Sequence, residues 1–558
     1  MADASLRACD DIARERDIAR CVLSTYASLH ANGKPRRSQY TSLCAFVVSE
    51  RANARDASRA FTRVVALGTG TKSIPFRARD SHGYAVADNH AEVIARRSLK
   101  RWMMEQWRAV AEGECAWSAF ELDVESDRDR DVRCGRGNDG TTFDRECDET
   151  TNERTRTRSR GAFVRLKPGV EFHAYCSQSP CGDASVFDRP RMKGVRETEG
   201  ECVDIGIGKP STTSEGEGRA RMKRAKTNGA SGGGAGATGA KLVAKRGDGV
   251  DSSRDREHGV KSQKLGAARI KPGRGDASDC MSCSDKLCRW CCVGLEGALL
   301  STMLREPIRL SSVTVAMPNI DDDERDDDGE LQETLKQNVL NALKRALETR
   351  MDVPGVSAST RGMFRSPTLV VGAPSDPSLT SYDGVRNGDR VACPTTISHI
   401  HREKGFKGDG RPQTEVTLGA TGYKLGSAAP KASAPPAERE RTAAKIAAQI
   451  SKRIAFERFI DLFAAFADRF PETARNHPMT PVVAAAANAE ASYADVKRRA
   501  KMISGIDVMD DAMRAPGSPL EFWVDSARKN ELYGAFVVRE RSTDARSRDY
   551  QPRNGIQN

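Results

Sequence analysis

DNHAEVIARR, Asp88 to Arg97, is the stretch on which the reading of this chain turns. A histidine and a glutamate two residues apart open a segment whose apolar residues recur at helical spacing: Ile94, Leu99, Trp102, Met103 and Trp107. That periodicity predicts a helix from Ala91 to about Trp107. His90, just before the helix, is a candidate metal ligand, and Glu92 beside it a candidate proton carrier. A plainer reading stays open at this point. H-x-E arises often by chance, and Asn89-x-x-Glu92 has the spacing of a capping box, which would make Glu92 structural.

On the N-terminal side, FVVSE and RVVALGTG read as short strands closed by glycines, and residues 10–30 read as an amphipathic helix carrying Ile12, Ile18, Val22 and Tyr26. On the C-terminal side, the strand VEFHAYCSQS runs into PCGDA, where a helix is expected to begin. SSVTVAM reads as a strand, LCRWCCVGLEGALLSTML as one apolar helix, and AERERTAAKIAAQISKRIAFERFIDLFAAF as one long helix. Three segments interrupt this order. Residues 124–160 are charged or small, residues 195–265 are a Gly/Ser/Lys/Arg tract containing GASGGGAGATGAK, and DDDERDDDGE is acidic. Such segments bury too little apolar surface to order themselves. With no internal repeat, the expectation is a single α/β domain over residues 10–540, split by long insertions and followed by a flexible tail at 541–558.

Of 558 residues, 38% are hydrophobic and 30% charged, which leaves room for a core and for unfolded insertions. The formal net charge of +12 and the pI near 9.0 suit a polyanionic partner, though basic charge also serves solubility. MADASLRACDDIARERD has no apolar core, so no signal peptide is expected, and no run approaches the length of a membrane span. A reducing compartment, nucleus or cytoplasm, follows. The 15 cysteines are then expected as thiols, metal ligands or small core residues. RMKRAK could serve as a nuclear signal; a solvated basic patch is the plainer reading.

A catalytic zinc takes three protein ligands and keeps one position for water. His90, Cys181 in PCGDA and Cys283 in MSCSDK all stand at expected helix starts, whose positive ends favour thiolate. A glutamate nearby can carry protons without being a ligand. The zinc-deaminase signature places a second cysteine two residues after the first, where Ala184 stands here, so the third ligand must come from elsewhere. A rival reading makes Cys280, Cys283, Cys288 and Cys291 a structural zinc cluster. Against it, Cys288, Cys291 and Cys292 lie in an apolar run, where free cysteine behaves as a small hydrophobe.

GTGTK, DNHAEVIARRSLKRW, SPCGDASVF, KPGRGD, MSCSDKLCRW and GLEGALLS follow one another in fixed order. Together they resemble the catalytic domain of the adenosine-to-inosine RNA deaminases. KPGRGD, REPIRLSSV and IARCVLSTYASLHANGKP are similar to the tRNA-specific branch. The resemblance covers most of residues 10–530 outside the insertions. It implies a cytidine-deaminase-like mixed sheet flanked by helices, zinc held by His90, Cys181 and Cys283, and Glu92 as proton shuttle. The implied reaction is hydrolytic deamination of adenosine to inosine in tRNA, at the purine 3′ of the anticodon (position thirty-seven). The partner is then the anticodon stem-loop, with no membrane, and the chain is expected as a monomer. The alternative is a double-stranded-RNA editor or an inactive RNA-binding relative.

The resemblance also implies a buried inositol hexakisphosphate. Its expected contacts are Lys72, Asp88, Arg96, Arg97, Lys286, Arg289, Trp290, Lys452, Tyr493, Lys497 and Trp523, with ordinary salt bridges as the competing explanation for so many cations. Several positions depart from the family pattern. Asn89 and Ser73 replace the usual small or thiol residues, and Glu296 stands where a glutamine is usual. The lysine expected before Tyr493 is missing from VVAAAANAEASY.

Overall fold

A computed structural model describes residues 16–50, 61–75, 78–114, 117–123, 162–188, 241–242, 265–271, 280–317, 330–351, 364–373, 390–403, 411–516, 518, 520–521, 523 and 536–537. The segment 124–160, nearly all of 195–265 and of the acidic run, RMKRAK and the 541–558 tail lie outside the described residues.

Seven strands make one mixed sheet: β1 (Leu43–Glu50), β2 (Phe61–Thr69), β3 (Val170–Cys176), β4 (Leu310–Ala316), β5 (Thr368–Ala373), β6 (Thr395–Ile400) and β7 (Thr414–Leu418). Their order is β5-β4-β3-β1-β2-β6-β7. The β3–β4 and β4–β5 pairs are parallel and the others antiparallel. Strand alternation divides β1 between two layers. Cys44, Phe46 and Val48 enter the main core, while Leu43, Ala45 and Val47 pack under a helix over residues 16–28 (α1) through its Ile18, Val22 and Tyr26.

On the main-core face lies α2 (Ala91–Glu112), five residues longer than its apolar pattern alone indicated. It ends at Gly113 in the left-handed conformation, φ 71°. It sits so close to β2 that a Cβ on Gly68 would lie 2.3 Å from the Ala95 amide nitrogen. Gly68→Ala is therefore expected to lower stability by about 1–3 kcal/mol through overpacking. The check is a lower denaturant midpoint at unchanged m.

Two expected helices are broken. The cysteine-rich run divides into α3 (Cys283–Val293) and α4 (Gly297–Ser301). Between them Gly294 takes φ 93°, and Arg309 donates to the carbonyl of Cys291 at 2.6 Å, closing the end of α3. After α5 (Glu330–Leu347), the long C-terminal segment divides into α6 (Pro436–Ile446) and α7 (Lys452–Arg469). Buried Glu415 draws the Gln449 N–H out of helical pairing at 2.6 Å, and the Ser451 hydroxyl caps α7 by accepting from Ile454. After two short helices, Pro471–Arg475 and Thr480–Ala487, come α8 (Tyr493–Ser504) and α9 (Ile506–Arg514). Among the described residues, no helix is long and apolar enough to cross a membrane.

Candidate active site

The turn after β3, the start of α2 and the start of α3 meet at one end of the sheet. His90 is the N-cap residue of α2 and Cys283 the first residue of α3. Cys181 is followed only by the short 3₁₀ turn Asp183–Ser185, not by the helix its sequence suggested. Its thiol is served instead by the Cys283 N–H, at 3.4 Å. The Ser284 hydroxyl donates to the Cys181 carbonyl at 2.9 Å and accepts from the Ala184 N–H at 3.1 Å, holding the two loops together.

Glu92 is not a cap. The start of α2 has no side-chain cap bond, and the Asn89 amide donates instead to the Val86 carbonyl at 2.7 Å. Glu92 is 7% exposed and accepts from the Cys283 thiol at 3.0 Å. Burial, then the neighbouring Cys181, raises its pKa. Hydrogen bonding with Cys283 holds the Cys181 thiol well below its usual range, while burial pushes Cys283 well above it. Two cysteine sulfurs pushed in opposite directions thus share the site with a buried carboxyl whose pKa is raised.

Asp88 organises the rest. It meets His90 Nδ1 at 2.9 Å, which orients the ring and leaves Nε2 for another partner. Burial opposes protonation of His90, but Asp88 and Cys181 raise its pKa to about 9. Asp88 also accepts from the Lys271 ammonium at 2.8 Å and from Lys286. Among the described residues, no three His, Cys, Asp or Glu side chains stand arrayed for a metal; Cys283 bonds to Glu92 and His90 to Asp88. The donor set nevertheless fits zinc: two cysteine sulfurs and an oriented imidazole, with a buried carboxyl in contact. The rival cluster is not assembled. Cys288, Cys291 and Cys292 are free and buried in the apolar core, and Cys280 accepts from Arg79 at 2.9 Å.

Behind Asp88 opens a cavity of about 860 Å³. Eleven arginines and lysines line it, against the carboxylates of Asp88 and Glu296. Of the expected polyphosphate contacts, Asp88, Arg96, Arg97, Lys286, Arg289, Trp290, Lys452, Tyr493, Lys497 and Trp523 all line it. Lys72 does not; it lies in the short strand Thr71–Ser73, paired with Asn89 and against Gly419. Aromatic faces carry several cations: Arg96 lies 4.7 Å from the Trp290 ring centroid, Lys452 5.5 Å from Tyr493, and Arg289 5.8 Å from Trp523. Glu296 turns to the backbone, accepting the Ile308 N–H at 3.1 Å. Burial, with neighbouring cations, lowers the pKa of Arg96 and of Lys452, to about 9 and about 7. A cavity so poor in counter-charge fits a polyanion.

Sequence reasoning missed Lys271, although KPGRGD drew notice; it lies far from Asp88 in sequence, and only the fold joins them. It also missed Arg79, Lys100, Lys501 and Arg514 on the cavity wall. Lys100 was the legible one, standing one helical turn beyond Arg96.

Mixed sheet, His/Cys/Cys/Glu cluster and basic cavity define a class of protein, and comparison with known sequences places this chain within it. The adenosine-deaminase (editase) domain model matches residues 66–129 and 144–504, more than half of the chain. The chain belongs to the adenosine-deaminase (editase) domain family. It is 30% identical over 320 residues to the tRNA-specific adenosine deaminase 1 of Homo sapiens, covering 51% of this chain and 62% of that protein. To the protein of the same name in Drosophila melanogaster it is 26% identical over 302 residues, 53% and 54% respectively. To the double-stranded RNA-specific editase Adar of the fly it is 25% identical over 300 residues, 53% and 32%. The matches thus span between about half and under two thirds of the tRNA-specific relatives' length.

Proposed function

We propose that this chain is a zinc-dependent hydrolase that converts adenosine to inosine in tRNA, at the purine immediately 3′ of the anticodon. The observation that carries the reading is the Glu92 carboxyl, buried and bonded to Cys283 beside Cys181 and His90, from parts of the sequence far apart. His90, Cys181 and Cys283 would hold the zinc, which supplies Lewis-acid activation of water at the site. Glu92 would take the proton that the water gives up as its oxygen bonds to C6, deliver it to N1 of the adenine, and then move the proton of the new C6 hydroxyl to the amine, which leaves as ammonia. Asp88 fixes the His90 ring, and Lys271 and Lys286 fix Asp88. In the basic cavity an inositol hexakisphosphate would neutralise the clustered cations.

The adenine must reach the buried cluster unpaired, because its C6 is inaccessible inside a stacked duplex. An anticodon loop presents such a base. The similarity to tRNA-specific deaminases supports this substrate over long duplexes. Purified protein is expected to form inosine in whole tRNA and little in a long perfect RNA duplex, read by sequencing. Efficient editing of the duplex with none in tRNA would establish the editor reading instead.

A further inference from the structure

The cations of the cavity fall into two unlike groups. In one, buried Asp510 accepts from Arg289 at 2.7 Å and from Lys501 at 2.6 Å, with Arg514 at 3.6 Å. These cations already have a counter-charge within the protein. In the other, the guanidinium groups of Arg96 and Arg97 donate to neutral backbone carbonyls of Leu295 and Ile450, each at 2.9 Å. One turn along α2 from Arg96, Lys100 enters the same wall, alongside Gly297, where an added Cβ would lie 3.9 Å from its Cδ. Among the described residues, no hydrogen bond or ion pair engages the Lys100 ammonium.

Burial, and after it Arg96, Arg97, Lys497 and Lys452, drives the Lys100 pKa well below the usual lysine range. The groups that weigh most on it are therefore all cations. A helix facing an apolar core would carry leucine or methionine here; a lysine aimed at four other cations is destabilising unless an anion joins them. The need is not for one carboxylate. Cations from α2, α7 and α8 converge, and only a multiply charged anion can serve several of them at once.

We propose that Lys100 is a phosphate-binding residue of this cavity, and that the bound polyanion places phosphates against the wall of Arg96, Arg97, Lys100, Lys452 and Lys497. This rests on the reading of the cavity as a polyphosphate site. Lys100 lines the cavity and makes no hydrogen bond to His90, Glu92, Cys181 or Cys283, so its contribution is read in ligand retention rather than turnover.

The test purifies the full chain and measures bound inositol hexakisphosphate per chain by native mass spectrometry, then its exchange against added labelled ligand. Wild type is expected to carry one polyanion. Lys100→Met should retain it roughly 10- to 100-fold more weakly, the loss of one charge-assisted contact. Lys100→Arg should keep it, but with at least one phosphorus-31 resonance displaced, because a guanidinium replaces an ammonium against a phosphate. Should Lys100→Met not be recovered soluble, the Lys100→Arg spectrum decides alone. Retention unchanged in Lys100→Met, or a Lys100→Arg spectrum superimposable on wild type, overturns the assignment of Lys100 and leaves the polyphosphate reading standing. Wild-type protein that carries no polyanion and binds none overturns both.

Discussion

Glu92→Gln is expected to fold, to keep its zinc and to lose deamination by about 10²–10⁴-fold, the range a general acid–base group contributes. Glutamine preserves shape and can still meet the Cys283 thiol, but it cannot exchange protons. The location of Glu92 makes the split between metal and turnover informative. It bonds to Cys283, one of the three candidate ligands, yet it is not needed to complete the set. Metal content by elemental analysis and single-turnover inosine formation should therefore part company in this variant. In His90→Ala or Cys283→Ala both should fall together. Normal turnover in Glu92→Gln would return Glu92 to a purely structural role, and loss of metal would make it a ligand.

The strands were legible in this sequence because alternation and β-branched runs are local. Val47 and Val48 of β1 or Val313 and Val315 of β4 declare their layer without knowing their neighbours. The helix breaks were not. Nothing within AAKIAAQISKRIAF disfavours a continuous helix strongly; the break is enforced by Glu415, a distant residue whose carboxylate takes the Gln449 N–H. The candidate site divides in the same way. His90, Glu92, Cys181 and Cys283 could be named because zinc chemistry restricts residue types and because motif order resembles a known family. Lys271 could not be given a role, since its partner Asp88 is brought to it by folding alone. Lys72 was grouped with the cavity because charge and motif membership are visible in sequence, whereas its place in the strand paired with Asn89, off the cavity lining, is not.

Chain produced in cells unable to make inositol polyphosphates is expected to be recovered largely insoluble, and what remains soluble should unfold at a much lower temperature than the loaded protein. A ligand at about 1,000 times its dissociation constant adds about 4 kcal/mol to folding, comparable with much of the 5–15 kcal/mol margin of an ordinary domain. The cavity is the ground for expecting such dependence. It joins α2 and α3, which carry His90 and Cys283, to α7 and α8, and its cations repel one another across it. Its pH dependence supplies an internal control. Burial holds Lys452 near 7 despite the favourable Tyr493, with Lys497, Arg97 and Arg79 pressing the same way, while an unfolded chain keeps that proton to about 10. Between those values the unfolded chain holds the Lys452 proton and the folded one does not, so the contribution of this lysine to the stability of ligand-free protein should rise as pH climbs from about 7 toward 9, opposed by His90, whose raised pKa acts the other way. Phosphates beside the same ammonium groups restore their protonation in the folded state, and the rise should flatten or reverse once the polyanion is bound. Urea midpoints across that range, with and without added inositol hexakisphosphate, measure both slopes. Ligand-free protein that folds, holds zinc and deaminates at the full rate, with no difference between the two slopes, would remove the proposed polyanion from the core of this chain.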